Sequence, residues 1–226
     1  MSQIALDGYK NEEYFRNDIG IKNVLEQYFQ KPINNIIKKS HGKKTDNIII
    51  FSDNSIINIQ NKKFEYFGGR GNSFDRRHIK NTFDNQFLRK YLTYLTLFRP
   101  TKRTSNMTNE QKKDFKKLVN NNLNDILKYI KKSLIGSNIN ENDYFVMTFK
   151  SKNKKDDNES YIISSIKLYN YIKNNINIQI KRTCLHLSNN IYLQRKGSDK
   201  TDKNPNHIQA KFKIDKNILR LCHKLI

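Results

Sequence analysis

Two short runs of isoleucine-rich sequence, NIIIF at 47–51 and IINIQ at 56–60, stand on either side of the polar tetrapeptide SDNS. Runs of five are strand length, branched β-carbons favour the extended chain, and Ser, Asp and Asn favour a tight turn. An antiparallel hairpin follows. A lone hairpin is marginal in water, so further strands or a helix must cover it.

The flanking sequence supplies both. From Gly8 to about Lys39 the pattern YFxxxIGIxxVLxxYF, with Glu12, Glu13 and Glu26 between the apolar residues, predicts one or two amphipathic helices, ended by SHGKKTD. After the glycine-rich GGRGNS, apolar residues at helical spacing over 74–98 (Phe83, Phe87, Leu88, Tyr91, Leu92, Leu95) predict another, interrupted by RPTKRTSNM. A helix over 108–134 is announced by Thr108 with Gln111 three residues on, a capping box. YFVMTF at 144–149 predicts a strand. The polar loop SKNKKDDNES, a short helix near 162–172, and strands near 176–180, 191–193 and 207–214 complete the chain. The order α, β, β, α, α, β, α, β, β, β is that of an α/β fold, a mixed central sheet flanked by helices. With no linker or repeat, one domain over 1–226 is expected, with a helical elaboration at about 74–134.

Charge narrows the partner. The 226 residues carry 43 Lys+Arg against 21 Asp+Glu, a formal charge of +22. Such a chain attracts polyanions, nucleic acid above all, although Asn-, Lys- and Ile-rich runs such as NNNLNDILKYIKK also arise from an AT-rich coding sequence. The lysines at 112, 113, 116 and 117 are read as a solvated helix face. Cys184 and Cys222 are far apart and without CxxC or Cys/His ligand spacing, so neither a disulfide framework nor a zinc finger is indicated. His41, His78, His186, His207 and His223 form no local pair at metal-ligand spacing; His41 and His207 are expected nearer nucleic acid. No signal-peptide core opens the chain and no apolar run approaches the roughly 20 residues that span a bilayer. A soluble, cytoplasmic protein with no membrane partner is expected.

Alternation places Gln60 and Lys62 on one face of the second hairpin strand, and the hairpin partner can bring Asp46 beside them. Phosphodiester hydrolysis needs a hard cation, a positioned water and stabilisation of developing charge. Asp46 is the expected magnesium ligand, aided by the Asn61 backbone carbonyl, with manganese as a substitute metal; Lys62 would orient the water and Gln60 supply an amide oxygen. Asp, Gln and Lys are equally what an ordinary solvated hairpin carries.

These residues resemble the active-site hairpin of the PD-(D/E)XK nuclease superfamily in its Q-x-K variant. More narrowly, three stretches are similar to the small type II restriction endonucleases that cut four-base palindromes such as GCGC. They are Asp7-Gly8-Tyr9-Lys10-Asn11-Glu12, the hairpin with its continuation GGRGNSFDRRHI, and IYLQRKGSDKTDKNPNHIQAKFKI, whose Gln194-Arg195-Lys196-Gly197 and Asp199 match the family's C-terminal segment. Thr45 stands where the superfamily name has Pro, and the Asp46-to-Gln60 spacing is short; neither change removes a ligand. The resemblance implies a restriction-endonuclease-like core, catalytic roles for Asp46, Gln60 and Lys62, and Glu12 as a further candidate for metal. It also implies double-stranded DNA as partner, a companion DNA methyltransferase, and a monomer or homodimer.

Two segments have the composition to read DNA. Arg70, Asn72, Ser73, Arg76 and Arg77 form the first. Gln194, Arg195, Lys196, Gly197, Asp199, Asn206, His207 and Gln209 form the second, over about 190–214, mixing donors and acceptors as base-edge recognition requires. Two other readings fit the same residues: a DNA-binding protein without catalysis, and a repair or non-specific nuclease of the same fold.

Overall fold

The structure, a computed structural model, describes residues 3–39, 45–64, 72–97, 107–136, 143–150, 158–181, 184–196 and 207–226. Asp18 divides the first helical stretch. α1 (Gln3–Asn17) ends before it, and α2 (Ile19–Phe29) begins after it with the Asp18 carboxylate accepting the Ile21 amide at 2.8 Å. α2 stops at Gln30, whose φ of 53° is left-handed, and Pro32 follows. The residues after it, expected to continue the helix, form β1 (Ile33–Lys38) instead. Their β-branched side chains suit a strand, but the deciding factor is distant: β1 pairs antiparallel with β2 (Asn47–Phe51).

β2 and β3 (Ile56–Phe64) are the expected hairpin, in register Asn47↔Ile59 to Ile50↔Ile56 and turning through Asn54 at φ 62°. The helix expected over 74–98 starts late. β4 (Asn72–His78) comes first, then a 3-10 turn at Ile79–Asn81, then α3 (Gln86–Leu97), with the Asn85 side chain accepting the Phe87 and Leu88 amides. The helix expected over 108–134 is two, α4 (Asn109–Asn121) and α5 (Leu123–Ile135). Asn122 breaks it: its side chain donates to the Leu118 carbonyl and accepts from Asn85 at 2.7 Å, holding the junction away from regular helix. The capping box is as the sequence predicts, with Gln111 N to Thr108 Oγ1 at 3.1 Å and Thr108 N to Gln111 Oε1 at 2.9 Å.

β5 (Tyr144–Lys150) is followed by β6 (Asn158–Ser164), where a helix was expected to begin; that helix, α6 (Ser165–Asn174), starts once pairing with β5 ends. The remaining elements are β7 (Gln179–Lys181), β8 (Cys184–His186), β9 (Ile191–Lys196), β10 (His207–Phe212), α7 (Lys216–Leu219) and β11 (His223–Lys224). Cys184 and Cys222 form no disulfide. Among the described residues no helix is long and apolar enough to cross a membrane.

The chain divides into two compact units. The first (Met1–Arg70, Leu134–Leu168, Ile214–Ile226) holds a six-stranded sheet ordered β1-β2-β3-β5-β6-β11, mixed because β3 and β5 run parallel. Phe15, Ile21 and Leu25 of the two N-terminal helices pack on Ile36, Ile49, Phe51, Ile59, Val146 and Ile162, a hydrophobic core cluster of this unit. The second (Gly71–Ser133, Tyr169–Lys213) holds an antiparallel sheet ordered β4-β10-β9-β8-β7, together with α3, α4 and most of α5. Its strands bury Leu185, Leu193, Ile208, Ala210 and Phe212 on one face.

Candidate active site and candidate nucleic-acid face

Asp46 precedes β2 and lies across from Gln60. Its backbone amide donates to the Ile59 carbonyl at 3.0 Å, while its Oδ2 accepts the Asn61 amide at 2.8 Å and stands 3.8 Å from Lys62 Nζ. Because a strand residue directs its N–H and C=O to the same neighbour, the Asn61 carbonyl opens on the Asp46 side. Ile59 faces the core under α1 and α2, so alternation turns Gln60 and Lys62 to the opposite face. Lys62 therefore meets Asp46 at the end of the hairpin, and Gln60 shares the strand face of Lys62.

Gln60 is 3% exposed, and its Oε1 has no hydrogen-bond partner among the described residues. A buried acceptor without a partner is uncommon and costly. Asp46 and Lys62 are 19% and 26% exposed. Burial pushes the Asp46 carboxyl above the usual carboxylate range, against the pull of the Lys62 ammonium and the Asn61 amide. Glu12, on α1, is raised by burial and then by the charge of Asp46, with Lys38, Lys62 and Arg16 opposing. The Asp46 and Glu12 carboxyls, both held where their charge is disfavoured, together with the Asn61 carbonyl on the Asp46 side and the unpartnered Gln60 oxygen on the same strand, are oxygen donors of the kind a divalent cation takes.

Behind the site runs a polar relay that the sequence reading missed. Arg16 Nη1 donates to Asn47 Oδ1 at 2.9 Å, and Asn47 Nδ2 donates to Asn61 Oδ1 at 2.9 Å. Asn47 and Asn61 are both buried. The signal available was an asparagine opening an isoleucine run on the face destined for the core. Asn47→Leu is expected to destabilise the fold by about 1–3 kcal/mol, because Arg16 and Asn61 lose a buried partner; thermal melting checks the effect.

The residues expected to meet DNA fall on both faces of the second sheet. Ladder partners share a face, so Ser73 with Lys211, Arg76 with Gln209, and His78 with His207 lie together opposite the apolar face, and Gln194 extends the Arg76–Gln209 row. Lys196 occupies the register position beside His207, and Asn72 that beside Phe212. Arg70, Gly197, Asp199, Asn206 and His41 lie outside the described residues. Arg77 and Arg195 are placed differently: both sit opposite Ile208, on the apolar face. Arg77 Nε donates to Asp75 Oδ2 at 2.8 Å, and Ser133 Oγ of α5 donates to the same oxygen at 2.8 Å. One residue of register decided this. Arg77→Ala is therefore expected to cost about 1–3 kcal/mol of stability, as melting curves would show. Lys211, which the sequence reading did not single out, and His78, which it left among the histidines without a metal-ligand pair, join the polar face at period two from Gln209 and Arg76.

No family model matches the chain, and no curated protein matches it. Among solved structures it is similar to restriction endonuclease MspI in complex with its cognate DNA, with a TM-score of 0.53 and 13% identity over 88% of this chain and 81% of that one. The likeness is one of fold, and it places this mixed sheet with flanking helices among restriction-endonuclease-like cores.

Proposed function

We propose that the chain is a magnesium-dependent endonuclease that cuts double-stranded DNA in the manner of type II restriction enzymes. The observation that carries this reading is the approach of Lys62 to Asp46, 3.8 Å apart, with the buried and orphaned Gln60 oxygen two residues before Lys62 on the same strand. The fold shared with restriction endonuclease MspI, whose structure holds its cognate DNA, supports it.

Asp46, Gln60 Oε1 and the Asn61 carbonyl would hold the cation, with Glu12 as a supporting carboxylate and manganese as a substitute metal. Bound there, magnesium would supply charge neutralisation at the scissile phosphate. Lys62 holds an ammonium beside Asp46, where it orients the attacking water and meets charge growing on the phosphoryl oxygens. The Asn61 amide fixes the Asp46 carboxylate, and the Arg16–Asn47–Asn61 relay fixes the strand that carries all of them. The polar face of the second sheet offers Arg76, Lys211, Gln194 and Gln209 to the duplex. The resemblance of the motifs adds a palindromic site of about four base pairs and 5′-phosphate ends, read by a two-fold dimer or by a monomer acting on each strand in turn. A companion methyltransferase and a cytoplasmic location belong to the same reading.

The test is digestion of unmethylated phage DNA with magnesium, with and without chelator. Discrete fragments that vanish with chelator are expected. DNA binding with no cleavage under any metal would replace this reading with that of a non-catalytic DNA-binding protein, and a smear would mark a non-specific nuclease.

A further inference from the structure

Among the described residues β4 is an edge strand of the second sheet and pairs only with β10, so the two form a ribbon along that edge. A shift in register between Ala210 and Lys211 marks a bulge, which adds twist to the ribbon. On the face opposite the buried Ile208, Ala210 and Phe212, the ribbon presents three cross-strand pairs: Ser73–Lys211, Arg76–Gln209 and His78–His207. No described strand position on this face of the sheet is Asp or Glu.

Gln209, at the centre, is 8% exposed, yet its Oε1 makes no hydrogen bond among the described residues. His207 Nδ1, two residues away, is in the same state. An orphaned acceptor discriminates between ligands. A phosphate presents only acceptors and can give Gln209 Oε1 nothing, whereas the exocyclic amines of adenine and cytosine in the major groove are donors. The major groove, about 12 Å wide, admits a two-stranded ribbon. Arg76, exposed and directly across the ladder, carries the donor fork that fits guanine O6 and N7.

We propose that the β4–β10 ribbon enters the major groove and that Gln209 and Arg76 read bases there, Gln209 Oε1 accepting from an adenine or cytosine amine and Arg76 donating to guanine. Lys211 and Ser73 then lie toward the phosphates and set register without specifying sequence. The inference deepens the DNA-cutting reading above and rests on it for the choice of duplex DNA.

The experiment is selection of bound duplexes from a pool with a randomised core, with chelator present so that nothing is cut, using wild type, Gln209→Leu and Arg76→Ala. Wild type is expected to enrich one short sequence. Each variant should lose roughly ten- to a hundredfold of its preference for that sequence over random DNA, chiefly at one base-pair position, while random-DNA affinity stays within about twofold. Arg76 is exposed, so its replacement tests the idea even if Gln209→Leu unfolds. Unchanged preference in both variants, or equal weakening on chosen and random DNA, would overturn the inference. A wild type that enriches no sequence would overturn it too, whatever the digestion shows. Sequence enrichment by a protein that never cuts would remove the nuclease reading and leave base reading by the ribbon standing.

Discussion

Lys62→Ala is expected to slow DNA cleavage by roughly a hundred- to a thousandfold, the cost of losing one preorganised charge aimed at a transition state. DNA affinity should stay within a few-fold, since Lys62 is only 26% exposed and its ammonium is engaged 3.8 Å from Asp46. Lys62→Arg should not rescue it, because a planar guanidinium cannot occupy the place of a compact ammonium beside Asp46. Single-turnover cleavage and a binding titration in calcium would separate chemistry from affinity. Wild-type turnover by Lys62→Ala would remove Lys62 from the site.

Asp46→Asn should abolish metal-dependent cleavage and yet make the metal-free protein more stable at neutral pH. The Asn61 amide can still donate to the new side-chain oxygen, while the cost of a buried charge disappears. The direction follows from linkage. A carboxyl whose folded-state pKa lies above its unfolded value contributes stability that is full below the unfolded pKa and is lost as pH rises through the folded one. Burial raises Asp46 in this way, so the metal-free wild type should lose stability on going from acid pH up through and beyond the usual carboxylate range. Asp46→Asn should lack that loss. Magnesium should raise the melting temperature of the wild type and leave Asp46→Asn unmoved. A variant that melts lower than wild type at neutral pH without metal, or that magnesium stabilises equally, would contradict this account.

Both predictions concern residues that local rules alone bring together. Alternation along 56–64 puts Gln60 and Lys62 on one side, and a tight turn at SDNS brings the start of β2 back beside that strand, so the approach of Asp46 to Lys62 was legible from spacing. The relay behind it was not. Arg16 and Asn47 are 31 positions apart, and nothing near either residue in the chain names the other. The split of the DNA-facing residues was equally hidden. Arg76 and Arg77 are adjacent in sequence, but alternation and the bulged pairing with β10 put one on the open face and the other against Asp75.

By itself the sequence determined what depends on neighbours in the chain: the hairpin, the capping box at Thr108, the helices with a clear apolar stripe, and the excess of positive charge. Only the tertiary structure decided that Ile33–Lys38, Asn72–His78 and Asn158–Ser164 are strands, where the reading had helix or loop. A helix satisfies its backbone hydrogen bonds within about four residues, so its signal is local. A strand satisfies them across to a partner, and for Asn72–His78 that partner lies at His207–Phe212 at the far end of the chain.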